Sequence, residues 1–329
     1  MTKDNYLVTG SEGFVGFNLS NYINGLGHNV FGIDFNDGTD NLKNWRKLQL
    51  DNVGIKTFSV DISDKYQIEE FQYNFKNVSF KSIFHLAGLA GVRKSLEIPE
   101  KYYDVNLRGT LNVLNMAENF NVNSLTFSST SSVYGGSKDN SKEEDKLYPI
   151  SPYANSKLLA EKICKLYAES NELNIAILRY FTVYGEAGRP DMSVLKFIDN
   201  IDKGNSIVIY GDGNQERDFT YVNDVCEATF KSSILEGLNI LNIGNSNPVK
   251  LINIVKIIEK ILNKKANIVF EPKNNLDVLK THSDNSRAIK LLNWEPKYNV
   301  EEGILNTINW YKKNKDTIGK LSWGLYLFI

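Results

Sequence analysis

A tyrosine and a lysine four residues apart form one pair in this sequence that could do chemistry. Tyr153 and Lys157 bracket the run Tyr-Ala-Asn-Ser-Lys, and on a helix that spacing places both side chains on one face. A phenol ordinarily has a pKa of about 10. A neighbouring ammonium group favours its phenolate, so Tyr153 could act as a base near neutral pH. Five hydroxyl side chains at 128–132 follow a predicted strand, and one of them could hold the reacting oxygen, although such a run also occurs at ordinary polar strand ends.

Three glycines near the amino terminus form a second group. Gly10, Gly13 and Gly16 follow a strand-like run and open a helical pattern. In dinucleotide-binding proteins such glycines allow a tight turn, close approach of the backbone to a pyrophosphate, and close packing of helix on strand. The start of the helix then offers free N–H groups to the phosphates. A glycine triplet alone also occurs in ordinary loops, but its position between strand and helix favours a dinucleotide site.

Acidic residues after the next two strands refine that prediction. Asp34 ends the second predicted strand, where a carboxylate accepts hydrogen bonds from ribose hydroxyls and repels a 2′-phosphate. Asp61 follows the third strand, where it either meets the adenine or only shapes a turn. The pattern therefore predicts NAD rather than NADP as the cofactor.

Alternating strand and helix signals position these residues within the first 180 residues. Strands are predicted at Tyr6–Thr9, Asn29–Ile33, Ile55–Val60, Ser82–Leu86, Ser124–Ser128 and Ile175–Arg179. Helical patterns lie between most of them, including Pro99–Phe120 and Tyr153–Ser170. This alternation predicts an α/β fold, with a doubly wound parallel sheet covered by helices on both faces. The polar stretch Phe35–Asp51 is expected to be a long loop with at most one helical turn, and Gly135–Tyr148 a surface loop.

The pattern changes after about residue 180. Helical stretches are predicted at Val194–Lys203, Val222–Glu236, Leu251–Leu262 and Val300–Lys313, and short apolar runs at Ile207–Tyr210, Leu241–Ile243 and Ile268–Phe270. We interpret this mixture as a smaller α/β cap. Because ligands of open α/β sheets bind at the carboxyl edge of the strands, the cap is expected to close over that edge.

Composition excludes several other classes of protein. The 329 residues include 38 Lys and Arg against 39 Asp and Glu, so no chain-wide attraction to nucleic acid or an anionic membrane is expected. The longest apolar runs are too short to span a bilayer, including the tail Trp323–Ile329, which is expected to pack on the body or on another subunit. The two cysteines, Cys164 and Cys226, cannot build a disulfide framework, and with three histidines a structural metal is not expected. A reduced, cytoplasmic location and no signal peptide are the predictions.

Taken together, the motifs resemble the extended short-chain dehydrogenase/reductase family, in particular its nucleotide-sugar epimerases and dehydratases. The resemblance extends from about Tyr6 to Tyr311 and is carried, in order, by TGSEGFVG, HLAG, FSSTSSVYG, SPYANSK, LRYFTVYG and RDFTY. It implies an NAD-binding Rossmann domain over residues 1–180, to which later segments return, and mainly a substrate-binding cap over residues 181–329. It also implies a tightly bound, recycled NAD, a UDP-sugar substrate and a homodimer formed through a four-helix interface.

Residue roles follow from the same resemblance. Tyr153 is implied as the base, Lys157 as its pKa modifier and nicotinamide-ribose contact, and Thr130 as the hydroxyl partner. The implied cofactor contacts are Gly10, Gly13, Phe14, Val15, Gly16, Asp34, Asn41, Asp61, Ile62, Leu86, Ala87, Gly88, Tyr153, Lys157 and Tyr180. The candidate substrate contacts are Arg93, Ser131, Ser132, Thr182, Arg189, Arg217 and Asp277. Arg189 and Arg217 resemble diphosphate contacts, because a guanidinium suits phosphate bidentately, with surface ion pairing as the alternative. His85 is expected to be a structural strand-end residue rather than a catalyst.

Departures from the family pattern favour one subgroup. Ser131 and Ser132 follow Thr130 where the dehydratases carry an Asp-Glu pair, and the UDP-glucuronate decarboxylases carry a glutamate at the Ser132 position. The run Gly188–Met192 (GRPDM) looks most like the UDP-glucuronate 4-epimerases. The resemblance thus implies conversion of UDP-glucuronate to UDP-galacturonate through a transient 4-keto sugar. A 4-epimerase for UDP-galactose or a UDP-N-acetylhexosamine ranks next, then a decarboxylase or dehydratase, and then a non-catalytic protein that senses the cofactor.

A uronic acid would add one requirement. Its 4-keto form is a β-keto acid, which loses CO₂ when the bond from C5 to the carboxylate stands perpendicular to the carbonyl plane. Ser131, Ser132 and Thr182 are the candidate donors that would hold the carboxylate in another orientation, because hydroxyls can donate to carboxylate oxygens. If these hydroxyls only satisfy backbone groups at strand ends, a neutral hexose becomes the better substrate.

Overall fold

A seven-stranded parallel sheet forms the centre of the structure, a computed structural model that describes residues 3–136, 140–171, 173–273 and 278–318. The strands are β1 (Asn5–Thr9), β2 (Asn29–Asp34), β3 (Lys56–Ser59), β4 (Ser82–His85), β5 (Ser124–Thr130), β6 (Asn174–Tyr180), β7 (Thr182–Tyr184), β8 (Ser206–Tyr210), β9 (Glu216–Arg217), β10 (Phe219–Tyr221), β11 (Leu238–Ile243), β12 (Val249–Lys250) and β13 (Asn267–Glu271). The central sheet has the order β3-β2-β1-β4-β5-β6-β11. All six strands predicted in the first 180 residues are confirmed.

The order of this sheet reverses next to β1, which pairs in parallel with both β2 and β4. In such doubly wound sheets ligands bind outside the carboxyl ends of the strands at the point of reversal. The strands read as near-continuous apolar runs because both faces are covered, and every residue of β4 and β5 is buried. The predicted fold class is therefore confirmed, and the crevice lies where β1, β4 and β5 end.

Helices cover both faces of the sheet. They are α1 (Phe14–Gly25), α2 (Asn41–Asn52), α3 (Lys65–Phe75), α4 (Pro99–Tyr103), α5 (Gly109–Asn119), α6 (Pro152–Asn171), α7 (Ser193–Lys203), α8 (Val222–Lys231), α9 (Leu251–Leu262), α10 (Ser286–Leu292) and α11 (Val300–Ile318). A π-helical turn, Asp104–Arg108, joins α4 to α5. The two long helical patterns predicted before residue 180 are thus confirmed, although the first of them contains this wider turn. None of the helices described is long and apolar enough to cross a membrane.

The prediction of a long loop after β2 is wrong, because α2 occupies much of it. Asp40 caps this helix, and its carboxylate accepts from the backbone N–H groups of Leu42 at 2.9 Å and Lys43 at 3.0 Å. Leu42, Arg46 and Leu50 recur every four residues and are buried on one face. The polar composition of the segment hid this narrow buried stripe.

The later part of the chain builds the predicted mixed α/β region and also returns to the sheet. Three two-stranded pairs, β7 with β10, β8 with β13 and β9 with β12, lie outside the central sheet. Strand β11 pairs with β6 as the seventh central strand, and α8 packs against α1. The described parts of 135–148 form a loop, in which Ser141 bridges to Ser283 and Glu143 is buried. The apolar tail predicted at 323–329 lies outside the described residues.

A buried ion pair fastens α6 to the sheet. Arg179 on β6 donates from two guanidinium nitrogens to the two carboxylate oxygens of Glu161 on α6, at 3.0 and 2.8 Å. Ser129 on β5 donates to the same carboxylate at 2.5 Å. Both charged side chains are essentially inaccessible to water, at 1% and 0% exposure. Removing either partner would strand a charge in the core, which costs far more than the intact pair contributes.

We therefore expect Glu161→Ala to lower the free energy of unfolding by about 3–5 kcal/mol, because Arg179 is left buried and unpaired. Urea denaturation followed by circular dichroism measures this loss. Glu69→Ala is the matched control, since its partner Lys65 lies on the surface, and its expected cost is about 0–1 kcal/mol. Equal losses for the two variants would contradict the account of a buried charge pair.

Candidate active site

The glycines after β1 form a cradle at the point of sheet reversal. Gly10 has a φ of +74°, and a Cβ on it would lie 2.6 Å from the backbone nitrogen of Ala87. A Cβ on Gly16 would overlap the carbonyl oxygen of Gly10. Helix α1 begins after Gly13, which offers no side chain to cap its first N–H groups. These groups and the helix dipole suit a pyrophosphate, so the cradle fits the dinucleotide that the sequence predicts.

Asp34 lies at the adjacent strand end, as predicted, and is buried. One carboxylate oxygen accepts from the backbone N–H of Glu12 at 2.9 Å, and the other from Lys43 at 2.7 Å. Glu12 is itself buried in the glycine loop, and this burial raises the pKa of its carboxyl group. Lys43 was missed by sequence reasoning, because the stretch that carries it was interpreted as loop. The Asp34 carboxylate thus stands at this end of the cradle as a candidate acceptor for ribose hydroxyl groups.

Other predicted cofactor residues also have contacts within the protein. Asp61 accepts from the backbone N–H and hydroxyl of Ser63, which shapes the turn after β3. Ile62 is buried in the core, and Asn41 is the exposed first residue of α2. The hydroxyl of Tyr180 bonds that of Thr229 on α8 at 2.8 Å. Their roles toward NAD stay predictions, as do those of Phe14 and Val15 at the start of α1 and of Leu86, Ala87 and Gly88 after β4.

The three predicted catalytic residues come together where β5 ends. Thr130 is the last residue of β5, and its hydroxyl lies close enough to Tyr153, in the first turn of α6, to oppose a rise in the pKa of that phenol. Lys157 follows one turn later and donates from Nζ to the carbonyl oxygen of Ser128 at 2.8 Å. Its Nζ also lies 4.7 Å from the ring centre of Phe127. The spacing of four residues thus places base and cation on one face of α6, as the sequence predicts.

Burial shifts the pKa values of this pair. It lowers the pKa of Lys157 to about 8, because the low-dielectric interior disfavours the ammonium. It raises the pKa of Tyr153, while the neighbouring Thr130 hydroxyl and the positive charge of Arg189 oppose that rise. The net direction for Tyr153 differs from the lowered pKa expected from the sequence. The physical reason is that burial of the phenol outweighs these polar contacts.

Asn106 is a site residue that the sequence reasoning missed. It lies buried in the π-helical turn between α4 and α5, and its side-chain oxygen accepts from the backbone N–H of Leu89 at 2.8 Å. Its side-chain nitrogen donates to the Leu89 carbonyl oxygen at 3.0 Å and to the hydroxyl of Ser156 at 2.9 Å. Ser156 immediately precedes Lys157. An asparagine on the buried side of an otherwise apolar helical pattern was the only available signal.

The three candidate carboxylate-binding hydroxyls lie in two places, two of them directly after Thr130 and the third in the lining of a cleft. Ser131 and Ser132 form a half-buried turn directly after Thr130. Thr182 begins β7, is half-buried, and lines a cleft together with Phe14 and Arg189. The structure thus leaves these three hydroxyl-bearing residues partly accessible, as ligand contacts require.

The three candidate arginines lie in different places. Arg189 forms a bidentate ion pair with Asp191 and is close enough to Tyr153 to lower its pKa, so it lies at the catalytic end of the site. The guanidinium of Arg93 stacks on the ring of Tyr210 at 4.1 Å. Arg217 lies on β9, which pairs with β12. Contact of these arginines with a diphosphate stays a prediction, and Asp277 lies outside the described residues.

Neither a metal-binding cluster nor an exposed thiol is found among the described residues. No group of three or more His, Cys, Asp or Glu side chains there could hold a metal ion. Both cysteines, Cys164 and Cys226, are free and buried.

Comparisons with known proteins place this geometry in a family. The model of the NAD dependent epimerase/dehydratase family matches residues 6–244. A UDP-glucuronate 4-epimerase from Thermodesulfobacterium geofontis is 41% identical over 318 residues, covering 95% of this chain and 98% of the relative. The solved structure of UDP-glucuronic acid 4-epimerase from Bacillus cereus, in complex with UDP-glucuronic acid and NAD, has a TM-score of 0.86 at 29% identity. That match covers 94% of this chain and 99% of the other.

A second solved structure has a different sugar specificity. UDP-N-acetylglucosamine 4-epimerase from Methanobrevibacter ruminantium has a TM-score of 0.85 at 27% identity, covering 95% of this chain and all of the other. The shared backbone therefore does not separate these two substrates, and the side chains around the sugar must do so.

Two glycines of α1 provide a matched test of the cradle. We expect Gly16→Ala to reduce NAD affinity at least about tenfold, because its methyl group displaces the Gly10 carbonyl and with it the phosphate-binding turn. Gly25→Ala, in the same helix with open space around it, should bind NAD like the unchanged protein. Isothermal titration calorimetry with cofactor-stripped protein measures both. Unaltered affinity in Gly16→Ala would contradict the cradle.

Proposed function

The chain belongs to the NAD-dependent epimerase/dehydratase family, and from that premise we propose that it interconverts UDP-glucuronate and UDP-galacturonate by epimerisation at C4. The observation that carries the proposal is the cluster at the end of β5. Thr130, Tyr153 and Lys157 meet there, and the next two residues are Ser131 and Ser132, where an elimination would need an acid and a base. Relatives named UDP-glucuronate 4-epimerase and a neighbour solved with UDP-glucuronic acid and NAD support the same substrate.

NAD is the cofactor of this family, and the cradle of this chain fits it. Gly10, Gly13 and Gly16 clear the space for its pyrophosphate, and Asp34 lies where the adenosine ribose would bind. Lys157 would contact the nicotinamide ribose. When bound, NAD supplies reversible two-electron oxidation of the sugar carbon C4.

Tyr153 moves the proton in this proposal. Its phenolate takes the proton of the sugar 4-hydroxyl and returns it after the other face of the 4-keto sugar has been presented. Because burial raises the pKa of this tyrosine, its ionisation depends on donors and cations nearby. The Thr130 hydroxyl lies beside the phenol as a donor, and Arg189 supplies positive charge. The ammonium of Lys157 lies one turn further along the same face of α6.

Ser131, Ser132 and Thr182 control the carboxylate. Their hydroxyl groups donate to its oxygens and keep the bond from C5 to the carboxylate away from the orientation that releases CO₂. Neutral donors suit this task, because an acidic side chain at these positions would repel the uronate. Arg93, Arg189, Arg217 and Asp277 complete the proposed substrate contacts. Residues 181–329 thus supply mainly substrate contacts, and residues 1–180 mainly cofactor contacts.

A UDP-N-acetylhexosamine or UDP-galactose 4-epimerase is the second candidate. It is favoured by the equally similar backbone of a UDP-N-acetylglucosamine 4-epimerase. The two proposals differ in the group at C2 or C5 of the sugar, so the same purified protein can be offered each substrate in turn.

A homodimer and a cytoplasmic location belong to the proposal as well. The exposed side chains of Leu111 on α5 and Leu166 on α6 are apolar, which supports pairing of these helices with a second copy into a four-helix interface. The free thiols of Cys164 and Cys226 suit a reducing compartment.

The purified protein should convert UDP-glucuronate to UDP-galacturonate in an NMR time course without added NAD. Tyr153→Phe is expected to lower kcat by about 10²–10⁴-fold, because the proton acceptor is lost while the ring is retained. Tyr148→Phe is the matched control, since Tyr148 is 70% exposed, and it should leave kcat unchanged. If UDP-N-acetylglucosamine or UDP-galactose is epimerised and UDP-glucuronate is not, the second candidate replaces the first. An active Tyr153→Phe variant would refute the assigned base.

Ser131→Ala combined with Thr182→Val tests control of the carboxylate. Each lost hydrogen bond to the charged group costs about 1.5–3 kcal/mol, so the fraction of turnovers that release CO₂ should rise at least about tenfold. The same NMR time course detects the resulting 4-keto pentose. Ser79→Ala is the control, because Ser79 is exposed and precedes β4, at the amino ends of the strands and away from the site. It should release no additional CO₂. A double variant that epimerises cleanly would show that other residues hold the carboxylate.

A further inference from the structure

A buried histidine connects two walls of the site through side-chain hydrogen bonds. His85 is the last residue of β4 and has no exposed surface. Its Nδ1 lies 2.7 Å from the hydroxyl oxygen of Thr9, at the end of β1. Its Nε2 lies 3.0 Å from the hydroxyl oxygen of Thr110, in the first turn of α5. The imidazole thus bridges the sheet and the helix packed on it.

The other hydrogen bonds of Thr110 and Thr9 determine which atoms donate and which accept along this series. Thr110 donates its hydroxyl proton to the carbonyl oxygen of Asn106 at 2.6 Å, so it must accept a proton from Nε2 of His85. Thr9 accepts from the backbone N–H of Ala87 at 3.1 Å and is left to donate to Nδ1. Only the neutral ring with hydrogen on Nε2 satisfies every group. A doubly protonated ring would face Thr9 with a second donor and leave its hydroxyl proton without an acceptor.

The two ends of this chain of hydrogen bonds contact the cofactor cradle and the catalytic helix. The backbone nitrogen of Ala87 is the atom that Gly10 approaches so closely that a side chain is excluded. At the other end, Asn106 holds Ser156, whose neighbour along α6 is Lys157. A Cβ on Gly88 would lie 2.8 Å from the Asn106 side-chain oxygen and 3.1 Å from Nζ of Lys157. These groups are packed so tightly that a shift at one end must move the other.

We propose that His85, as the neutral Nε2–H tautomer, is a positioning residue that sets the distance between the glycine cradle and the catalytic face of α6. Its effect on turnover rests on the proposed function, whereas its tautomer and its effect on cofactor binding do not. An apolar side chain would fill the same volume but leave Thr9 and Thr110 unconnected. Burial also lowers the pKa of His85 to about 3, with a smaller contribution from the positive charge of Lys157, and this direction agrees with a neutral ring.

The tautomer is tested by ¹⁵N–¹H correlation spectroscopy of the histidine rings in the NAD-bound protein. The three histidines are assigned by substitution, and the signal lost in His85→Gln belongs to His85. We expect the neutral Nε2–H pattern, unchanged from about pH 6 to about pH 9. The Nδ1–H pattern, or a doubly protonated ring at neutral pH, would overturn the proposal.

Substitution tests the positioning role. His85→Leu removes both ring nitrogens, and misplacement of the reacting groups is expected to lower kcat by about 10–100-fold with little change in KM for the sugar. The amide of His85→Gln keeps one acceptor and one donor at this position, so it should recover most of the lost kcat. His28→Leu is the matched control, because His28 packs against the rings of Tyr6 and Phe230, and it should leave kcat unchanged.

NAD affinity, measured by calorimetry on the same variants, separates this proposal from the proposed function. We expect His85→Leu to bind NAD at least about tenfold more weakly, because the backbone beside Gly10 loses its anchor. Should the protein fail to epimerise any UDP-sugar, the tautomer and the NAD affinities still decide the role of His85. If His85→Leu retains both kcat and NAD affinity, or if His85→Gln restores neither, the proposal is wrong. If His85→Leu does not fold, the spectrum and the His85→Gln variant decide it.

Discussion

The site depends on one buried ammonium group. Lys157 is 5% exposed, and burial alone would favour its neutral form, as the lowering of its pKa to about 8 shows. The Ser128 carbonyl oxygen accepts from it at 2.8 Å, and the ring of Phe127 faces it. These partners make a cation tolerable in the interior, one helical turn from the proposed base Tyr153. Because they lie on β5, the same contacts fix α6 against the end of that strand.

Helix α6 is held at two successive turns, and this explains the position of its tyrosine. Lys157 is anchored by the backbone of β5, and Glu161 one turn later by Ser129 and Arg179. Two anchors spaced by four residues determine both the rotation and the translation of the helix. Tyr153, one turn before the first anchor, therefore faces the end of β5. On the other side Asn106 holds Ser156, so the helix is braced from both directions.

The elements that local patterns determine were predictable from the sequence. Strands β1 to β6 read as short apolar runs between helices, because both faces of a parallel sheet are covered. The turn at Gly10 was predictable because few residues other than glycine adopt its φ. The shared face of Tyr153 and Lys157 follows from helical periodicity alone. The family resemblance then supplied roles that such patterns do not contain.

Features that depend on tertiary contacts were not predictable. Helix α2 has a polar composition, and only its packing shows that Leu42, Arg46 and Leu50 form one buried face. Asn106 acts through residues 17 and 50 positions away, a relation that no sequence spacing encodes. The raised pKa of Tyr153 arises from burial by the assembled fold, whereas the sequence shows only which charges could oppose it.

The origin of the hydrogen at C4 of the product tests the central claim most directly. The purified protein, without added cofactor, is incubated with UDP-glucuronate in D₂O, and the product is examined by proton NMR. The account predicts UDP-galacturonate that retains protium at C4, because the hydrogen removed from that carbon is returned to it and only the hydroxyl proton passes through Tyr153. Deuterium at C4 would mean that solvent supplies this hydrogen, which would contradict a transient 4-keto sugar reduced by recycled NAD.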